Sequence, residues 1–132
     1  VGGFDETVIF PAEDADLAWR IQWAGYEIKY EPEAVVVHYH RGTLKGLLKQ
    51  VKLYGAGTAA LFARHRKKFG YETYIVPEVY YELLLSLLKF PFALVFKKDR
   101  LEKFTPALDF LCAASFLYGK ITTALKNRVR FL

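Results

Sequence analysis

The fold prediction rests on the stretch "EDADLAWRIQWAGYEIKYEPEAVVVHYH", residues 13–40. In its first half, apolar residues recur at helical spacing from Asp14 to Ala24, and Gly25 follows where a helix commonly ends. Its second half alternates in "YEIKY", is interrupted by Pro32 and continues as the β-branched run "AVVVHYH". The pattern therefore predicts a helix followed by a strand, a turn and a second strand.

Three acids open this stretch and two histidines close it. At a helix N-terminus each of Glu13, Asp14 and Asp16 is stabilised by about 0.3–1 kcal/mol, and Asp14 suits the N-cap position. His38 and His40 share one face of the predicted second strand, because they are two residues apart. Taken alone, the acids are either helix caps or catalytic carboxylates, and the histidines are either half-buried polar residues or ligands. The lack of a nearby cysteine disfavours a structural zinc site.

Charge is distributed unevenly along the chain. Residues 1–33 carry eight acidic and two basic side chains, whereas residues 34–71 carry eight basic side chains and no acidic one. On charge alone the basic part fits an anionic membrane, a phosphate-bearing substrate or nucleic acid. The single cysteine, Cys112, lies in an apolar run and is expected to be buried and inert. The absence of methionine and the opening "VGGFDE" predict a piece of a longer protein.

Three more helices are predicted after residue 42. The first runs from Leu44 to Phe69 and is closed by Gly70. The second begins at Pro77 and is broken at Pro91. The third begins with the pair Thr105–Pro106, an N-cap and a first-turn proline, and runs to about residue 126.

The late apolar segments, residues 83–96 and 104–119, look short for membrane spans. A helix over residues 83–96 is about 21 Å long, whereas a bilayer core is about 30 Å thick. The second segment also contains Asp109. An amphipathic or re-entrant hairpin at the membrane surface is therefore favoured, and two soluble helices packed on the rest of the protein are the alternative. In the hairpin, lipid headgroups would meet Lys97, Lys98, Arg100 and Lys103.

Several motifs within residues 2–40 keep the order and spacing of one enzyme family. "GGFDE" is followed by "EDADLAWR" and then by "GYEIKYEPEAVVVHYH". Together they resemble family 2 glycosyltransferases of the GT-A fold, which read G-G-F-D-E, then E-D-x-D-L-x-x-R, then G-Y-x-I-x-Y-x-P-x-A-x-V-x-H. The resemblance implies an α/β fold. Residues 1–42 would form the C-terminal part of the GT-A catalytic domain, and residues 43–132 a helical, membrane-associated extension.

The resemblance also implies a reaction: a hexosyltransferase-type, inverting transfer of a sugar from a nucleotide-diphosphate donor to an acceptor hydroxyl. Asp14 matches the catalytic base, and Glu13 would orient it or contact the acceptor. His38, with His40 as the weaker candidate, matches a ligand of a divalent cation, Mn²⁺ or Mg²⁺. By its spacing in the sequence, Arg20 either holds Glu13 or Asp16 or forms a surface ion pair of little consequence. Acceptor and loop support is expected from Gly3, Phe4, Asp5, Asp16 and Arg20.

The implied partners are the nucleotide-diphosphate sugar, a glycan or lipid-linked acceptor and an anionic membrane surface. The implied location is the cytoplasmic side of the cell membrane, peripheral or re-entrant. The half of the family's site that carries the D-x-D motif is absent, so this chain alone is expected to be inactive. No Q-x-x-R-W motif occurs, which favours single-sugar transfer over polymer synthesis. Membrane or phosphate contacts are assigned to Lys45, Lys49, Lys97, Lys98 and Arg100.

Two other functions compete with the transferase. In the first, a non-catalytic basic helical module binds a membrane or a partner protein, and the acids only cap a helix. In the second, a cluster of bases binds nucleic acid, namely Arg64, Arg66, Lys67 and Lys68. No recognisable nucleic-acid motif accompanies that cluster, so no nucleic acid is expected among the partners.

Overall fold

The computed structural model describes residues 1–8, 11–39, 41–70 and 77–128. Within these ranges the chain forms four helices: α1, Glu13–Trp23; α2, Leu44–Phe69; α3, Pro77–Phe96; and α4, Arg100–Lys126. No strand occurs in the same ranges. The elements are therefore helices joined by loops.

The predicted α/β class is wrong, because the segment expected to form strands is a loop. Residues 31–34 do form the expected turn, in which the Ala34 N–H donates to the Glu31 carbonyl at 3.1 Å. The residues on either side of the turn join no ladder, and Val35, Val36 and Val37 are exposed. A strand is stabilised by hydrogen bonds to a neighbouring strand and by burial of one face. Neither is provided by the part of the chain that the structure describes, so β-branched composition alone does not produce a sheet.

The ends of α2 follow the prediction. The Thr43 hydroxyl accepts a hydrogen bond from the Gly46 N–H at 3.1 Å and caps the start of the helix. Gly70 ends the helix in the left-handed region, at φ +75°, and its N–H donates to the Arg66 carbonyl at 3.1 Å. Both ends are set by local chemistry.

The two late prolines do not end or begin a helix as predicted. α3 continues through Pro91, and α4 begins before Thr105, with Pro106 inside it. Asp99 fixes the earlier start of α4, because its carboxylate accepts from two N–H groups of the first turn at 2.8 and 3.2 Å. Each proline interrupts the hydrogen bonding of its helix at only one position, and the helix is maintained on both sides of it.

α2, α3 and α4 form a bundle in which α4 packs against both of the other helices. Three residues connect α3 to α4, so these two helices run antiparallel. α2 runs in the same direction as α4: Leu44 lies beside the first turns of α4, and Arg66 lies beside Asn127 at its end. α3 therefore runs antiparallel to both α2 and α4.

The closest approach between α2 and α4 occurs at two glycines. A Cβ on Gly55 would overlap the carbonyl oxygen of Phe116, and a Cβ on Gly119 would overlap the carbonyl oxygen of Lys52. Only glycine lets the two backbones lie this close together. The crossing point of the bundle is thus set by these two positions.

α1 packs against the second half of α2. The small buried core there consists of Ala59, Phe62 and Ala124, and Phe69 packs against it. The Trp19 ring of α1 meets the Phe69 ring edge-on, with centroids 5.1 Å apart. Ala12, at the start of α1, lies against Gly57, so the acidic turn is beside the middle of α2.

Candidate functional site

The first turn of α1 presents two acids in different environments. Asp14 is exposed, and its carboxylate accepts the Ala15 N–H at 2.7 Å. Its predicted N-cap role is wrong, because Ala12 occupies the N-cap position without a side-chain cap. Glu13 is partly buried, and its Oε2 atom is enclosed without a hydrogen-bond partner among the described residues. The Asp14 carboxylate therefore faces solvent, whereas the neighbouring Glu13 carboxylate is partly shielded from it.

Asp16 is the buried anchor of this turn. Its carboxylate is fully buried and accepts from Arg20 Nε at 2.7 Å. His65 Nε2 lies 2.6 Å from its other oxygen, and Arg64 Nε lies 3.8 Å from that oxygen. Because an ionised carboxylate only accepts, the His65 nitrogen is the donor. Burial raises the pKa of Asp16, but the hydrogen bonds from His65 and Arg20 outweigh it, so the pKa lies below its usual value.

Arg20 also ties the first residues of the chain to α1. Its two terminal nitrogens donate to the carbonyls of Val1 at 2.6 Å and of Gly3 at 2.7 Å. Of the two acids expected as its partner, the structure pairs it with Asp16. Phe4, next to this contact, is exposed. The Arg20 side chain thus connects the opening loop to the acidic turn.

Arg64 of α2 holds the same loop from the other side. It pairs with Asp5 and donates to the Thr7 hydroxyl at 3.1 Å. Asp5 in turn accepts from the Thr7 N–H at 2.9 Å and from the Thr7 hydroxyl at 2.6 Å. Hydrogen bonds from Thr7, with the Arg64 charge, hold the pKa of Asp5 below its usual value. The loop, α1 and α2 therefore form one connected polar network.

Aromatic rings enclose the histidine of this network. The His65 ring lies 4.9 Å from the Trp23 ring and 6.1 Å from the Trp19 ring, measured between centroids. Sequence reasoning missed His65 altogether and assigned Arg64 only to a basic cluster. Asp16 and His65 are 49 residues apart, so no local spacing links them.

An apolar cavity of about 330 Å³ opens between α1 and α2 next to the acidic turn. Ala12 and Ala15 line it on the α1 side, where they flank Glu13 and Asp14 in the chain. Aromatic side chains form much of the remaining wall: Trp19, Tyr54, Phe62 and Phe69. Glu13 and Asp14 therefore lie, along the chain, between two residues that line this cavity.

The predicted metal site is not formed by the described residues. His38 is exposed in the loop after the turn, and His40 lies outside the described residues. The described ranges contain no group of three or more His, Cys, Asp or Glu side chains that could hold a metal ion. The divalent cation and its ligand His38 therefore stay a prediction of the family resemblance.

The predicted membrane contacts lie on exposed surface. Lys45 and Lys49 project from the first half of α2, and Lys97 forms an ion pair with Glu102 at 3.2 Å. Lys98 and Arg100 are also exposed, in and just after the short α3–α4 connection. The cations at this connection, Lys97, Lys98 and Arg100, therefore lie together at the end of the bundle where α3 meets α4.

α3 and α4 are both long and apolar enough to cross a membrane, judged by length and composition. Their mean hydropathies are 1.6 and 1.2 in the most apolar window. α3 has 20 residues, which corresponds to about 30 Å, close to the bilayer core. The length argument against a span is therefore wrong for α3, because the helix begins before the apolar run and continues through Pro91.

Comparison with known proteins supports glycosyl transfer in general terms. Over 68 residues, 52% of this chain, it is 46% identical to the pre-mycofactocin glycosyltransferase of two Mycobacterium tuberculosis strains. Over 66 residues, 50% of the chain, it is 41% identical to the succinoglycan biosynthesis protein ExoA of Rhizobium meliloti. The aligned parts are 14% and 20% of those relatives' lengths. No family model and no solved structure matches the chain.

Proposed function

We propose that this chain is part of a membrane-associated, inverting family 2 glycosyltransferase that uses a nucleotide-diphosphate sugar. The observation that carries the proposal is the 46% identity to a pre-mycofactocin glycosyltransferase. The motifs of residues 2–40 point to the same chemistry. The acidic turn supplies an exposed carboxylate at a position held by a buried network.

Asp14 is the proposed general base. Its carboxylate takes the proton of the acceptor hydroxyl while the hydroxyl oxygen forms a bond to the anomeric carbon. The bond from that carbon to the diphosphate oxygen breaks, and the electron pair leaves with the diphosphate. Asp14 lies in the first turn of α1, at the positive end of the helix dipole.

Asp16, Arg20 and His65 are proposed to position the base. They bind one another within the same network that fixes the opening loop, and none of them needs to touch a substrate for this role. From its place in the motif, Glu13 is proposed to orient Asp14 or to contact the acceptor.

The remaining parts of the proposal come from the family resemblance. They are a divalent cation with His38 as one ligand, a glycan or lipid-linked acceptor, and a location on the cytoplasmic side of the membrane. The exposed cations near the α3–α4 connection favour contact with anionic headgroups. The proposed proton transfer itself is assigned to Asp14 and to the residues that position it.

The test is the Asp14→Asn variant of the full-length protein, with Glu33→Gln as the matched control. Glu33 is an exposed acid in the loop after α1. Loss of the base lowers turnover by about 10²–10⁴-fold, while the Kd of the donor sugar stays near that of the unmodified protein. Transfer measured with radiolabelled donor, and donor binding measured by calorimetry, separate the two effects.

Two outcomes would overturn the assignment. Unchanged turnover in Asp14→Asn would exclude Asp14 as the base. An equal loss of donor binding and of turnover would mark it as a structural residue. The second outcome would favour the non-catalytic basic helical module.

A further inference from the structure

α3 carries an unbroken apolar face that no described residue covers. We define this outer stripe as Tyr81, Leu84, Leu88, Phe92 and Val95, which follow one another at spacings of three and four residues and so lie on one side of the helix. Each of the five side chains is at least 59% exposed. The stripe runs along nearly the whole of the helix.

The polar side chains of α3 lie on the side that meets α4. Glu82 and Lys89 each line a cleft to which α4 contributes Asp109. Ser86, between them on the same side, is buried and donates to the Leu83 carbonyl at 2.9 Å. Glu82 and Lys89 are nevertheless exposed. At membrane depth such a charge is stable only beside a polar partner or in a water-filled cleft.

Both ends of α3 carry residue types that are common near membrane interfaces. Tyr80 and Tyr81 lie in its first turns, and aromatic residues of this kind are enriched at membrane interfaces. Lys97 and Lys98 follow its last residue and are exposed. The whole of α3 is about as long as the hydrocarbon core, whereas residues 82–96, between the tyrosines and Lys97, span about 22 Å. A proline such as Pro91 is tolerated in membrane helices.

We propose that α3 lies in a lipid bilayer along its whole length, with the outer stripe against the acyl chains and with Glu82 and Lys89 turned toward α4. This inference deepens the membrane part of the proposed function, which by itself requires only contact with the surface. Lipid, and not another protein, is the proposed neighbour of the outer stripe. It does not depend on the chemistry of Asp14.

Nitroxide labels test which medium meets the stripe. The full-length protein, with Cys112 and every cysteine outside residues 1–132 replaced by serine, receives single cysteines in place of Leu84, Leu88 or Phe92 and is reconstituted into phosphatidylcholine–phosphatidylglycerol vesicles. Collision rates with oxygen, which enters hydrocarbon, and with a water-soluble nickel chelate are compared. The control label replaces Tyr30, which is 89% exposed in the loop after α1.

We expect the oxygen-to-nickel ratio to be several-fold higher on the stripe than at position 30, with its maximum at Leu88 near the middle of the helix. A ratio equal to that at position 30 would place the stripe in water and overturn the proposal. Low collision rates with both reagents would overturn it too, because protein would then cover the stripe. In that case, spin–spin broadening that disappears on dilution with unlabelled protein would identify a second copy, and its absence a different partner.

The same measurement on the Asp14→Asn background separates this inference from the proposed function. An inactive protein with an unchanged collision profile supports the lipid-facing stripe whatever the reaction. On the background with Asp14 unchanged, an active protein with the stripe in water leaves the transferase proposal intact and refutes the insertion of α3.

Discussion

Asp16→Asn is the most direct test of the network that holds the acidic turn. The substitution keeps the size of the side chain and removes the negative charge. It leaves Arg20 Nε and His65 Nε2, which are 2.7 and 2.6 Å from the carboxylate, without their charged acceptor. It therefore weakens the polar contact between α1 and α2 without opening a cavity.

The magnitude follows from burial. Asp16 is fully buried, and the side chains of Arg20 and His65 are 21% and 14% exposed. Breaking a fully buried charged pair costs about 3–5 kcal/mol. Since the two donors retain some access to water and the amide still accepts one hydrogen bond, we expect a loss of about 2–3 kcal/mol in the free energy of unfolding.

Tryptophan emission measures this loss, because the only two tryptophans of the chain, Trp19 and Trp23, pack around His65. Urea unfolding of the detergent-solubilised chain gives the free energy. Asp14→Asn is the control; its exposed carboxylate accepts only a local N–H group, so a loss of about 0.5 kcal/mol is expected.

The pH dependence gives a second check on the same residue. The pKa of Asp16 is lowered in the folded chain, so its stabilising effect is fully present above the unfolded value of about 3.9 and is lost as the pH falls through the folded value. The difference between wild type and Asp16→Asn should therefore shrink in this acidic range. A difference below about 0.5 kcal/mol at neutral pH, or one that persists in acid, would refute the reasoning.

Two further predictions concern the bundle, both measured by thermal unfolding in detergent. Gly55→Ala should lower the free energy of unfolding by about 1–3 kcal/mol, because the new methyl group overlaps the Phe116 carbonyl. Gly42→Ala is its control, because no atom lies within 4 Å of the added carbon. Equal stability of the two variants would refute the close crossing. Asp99→Ala should cost about 1 kcal/mol by removing the cap on α4, and Asp99→Ser should restore most of it; an unchanged transition would place the start of α4 elsewhere.

Local sequence was sufficient where short-range chemistry sets the structure. Gly70 ends α2 because a left-handed backbone suits glycine, and Thr43 begins it because its hydroxyl meets a free N–H group. The acidic turn was likewise predicted at the start of a helix. The sequence alone also indicated glycosyl transfer, through motifs whose order and spacing are visible without any structure.

Other features depended on contacts between distant parts of the chain. Asp16 meets His65 across 49 residues, and Asp99 begins α4 upstream of the pair Thr105–Pro106 that looked like a helix start. Residues 26–39 have strand composition but find no strand to pair with in the described chain. β-propensity shows that a segment can form a strand, whereas hydrogen-bond partners and burial determine whether it does so. Those partners are supplied by tertiary structure.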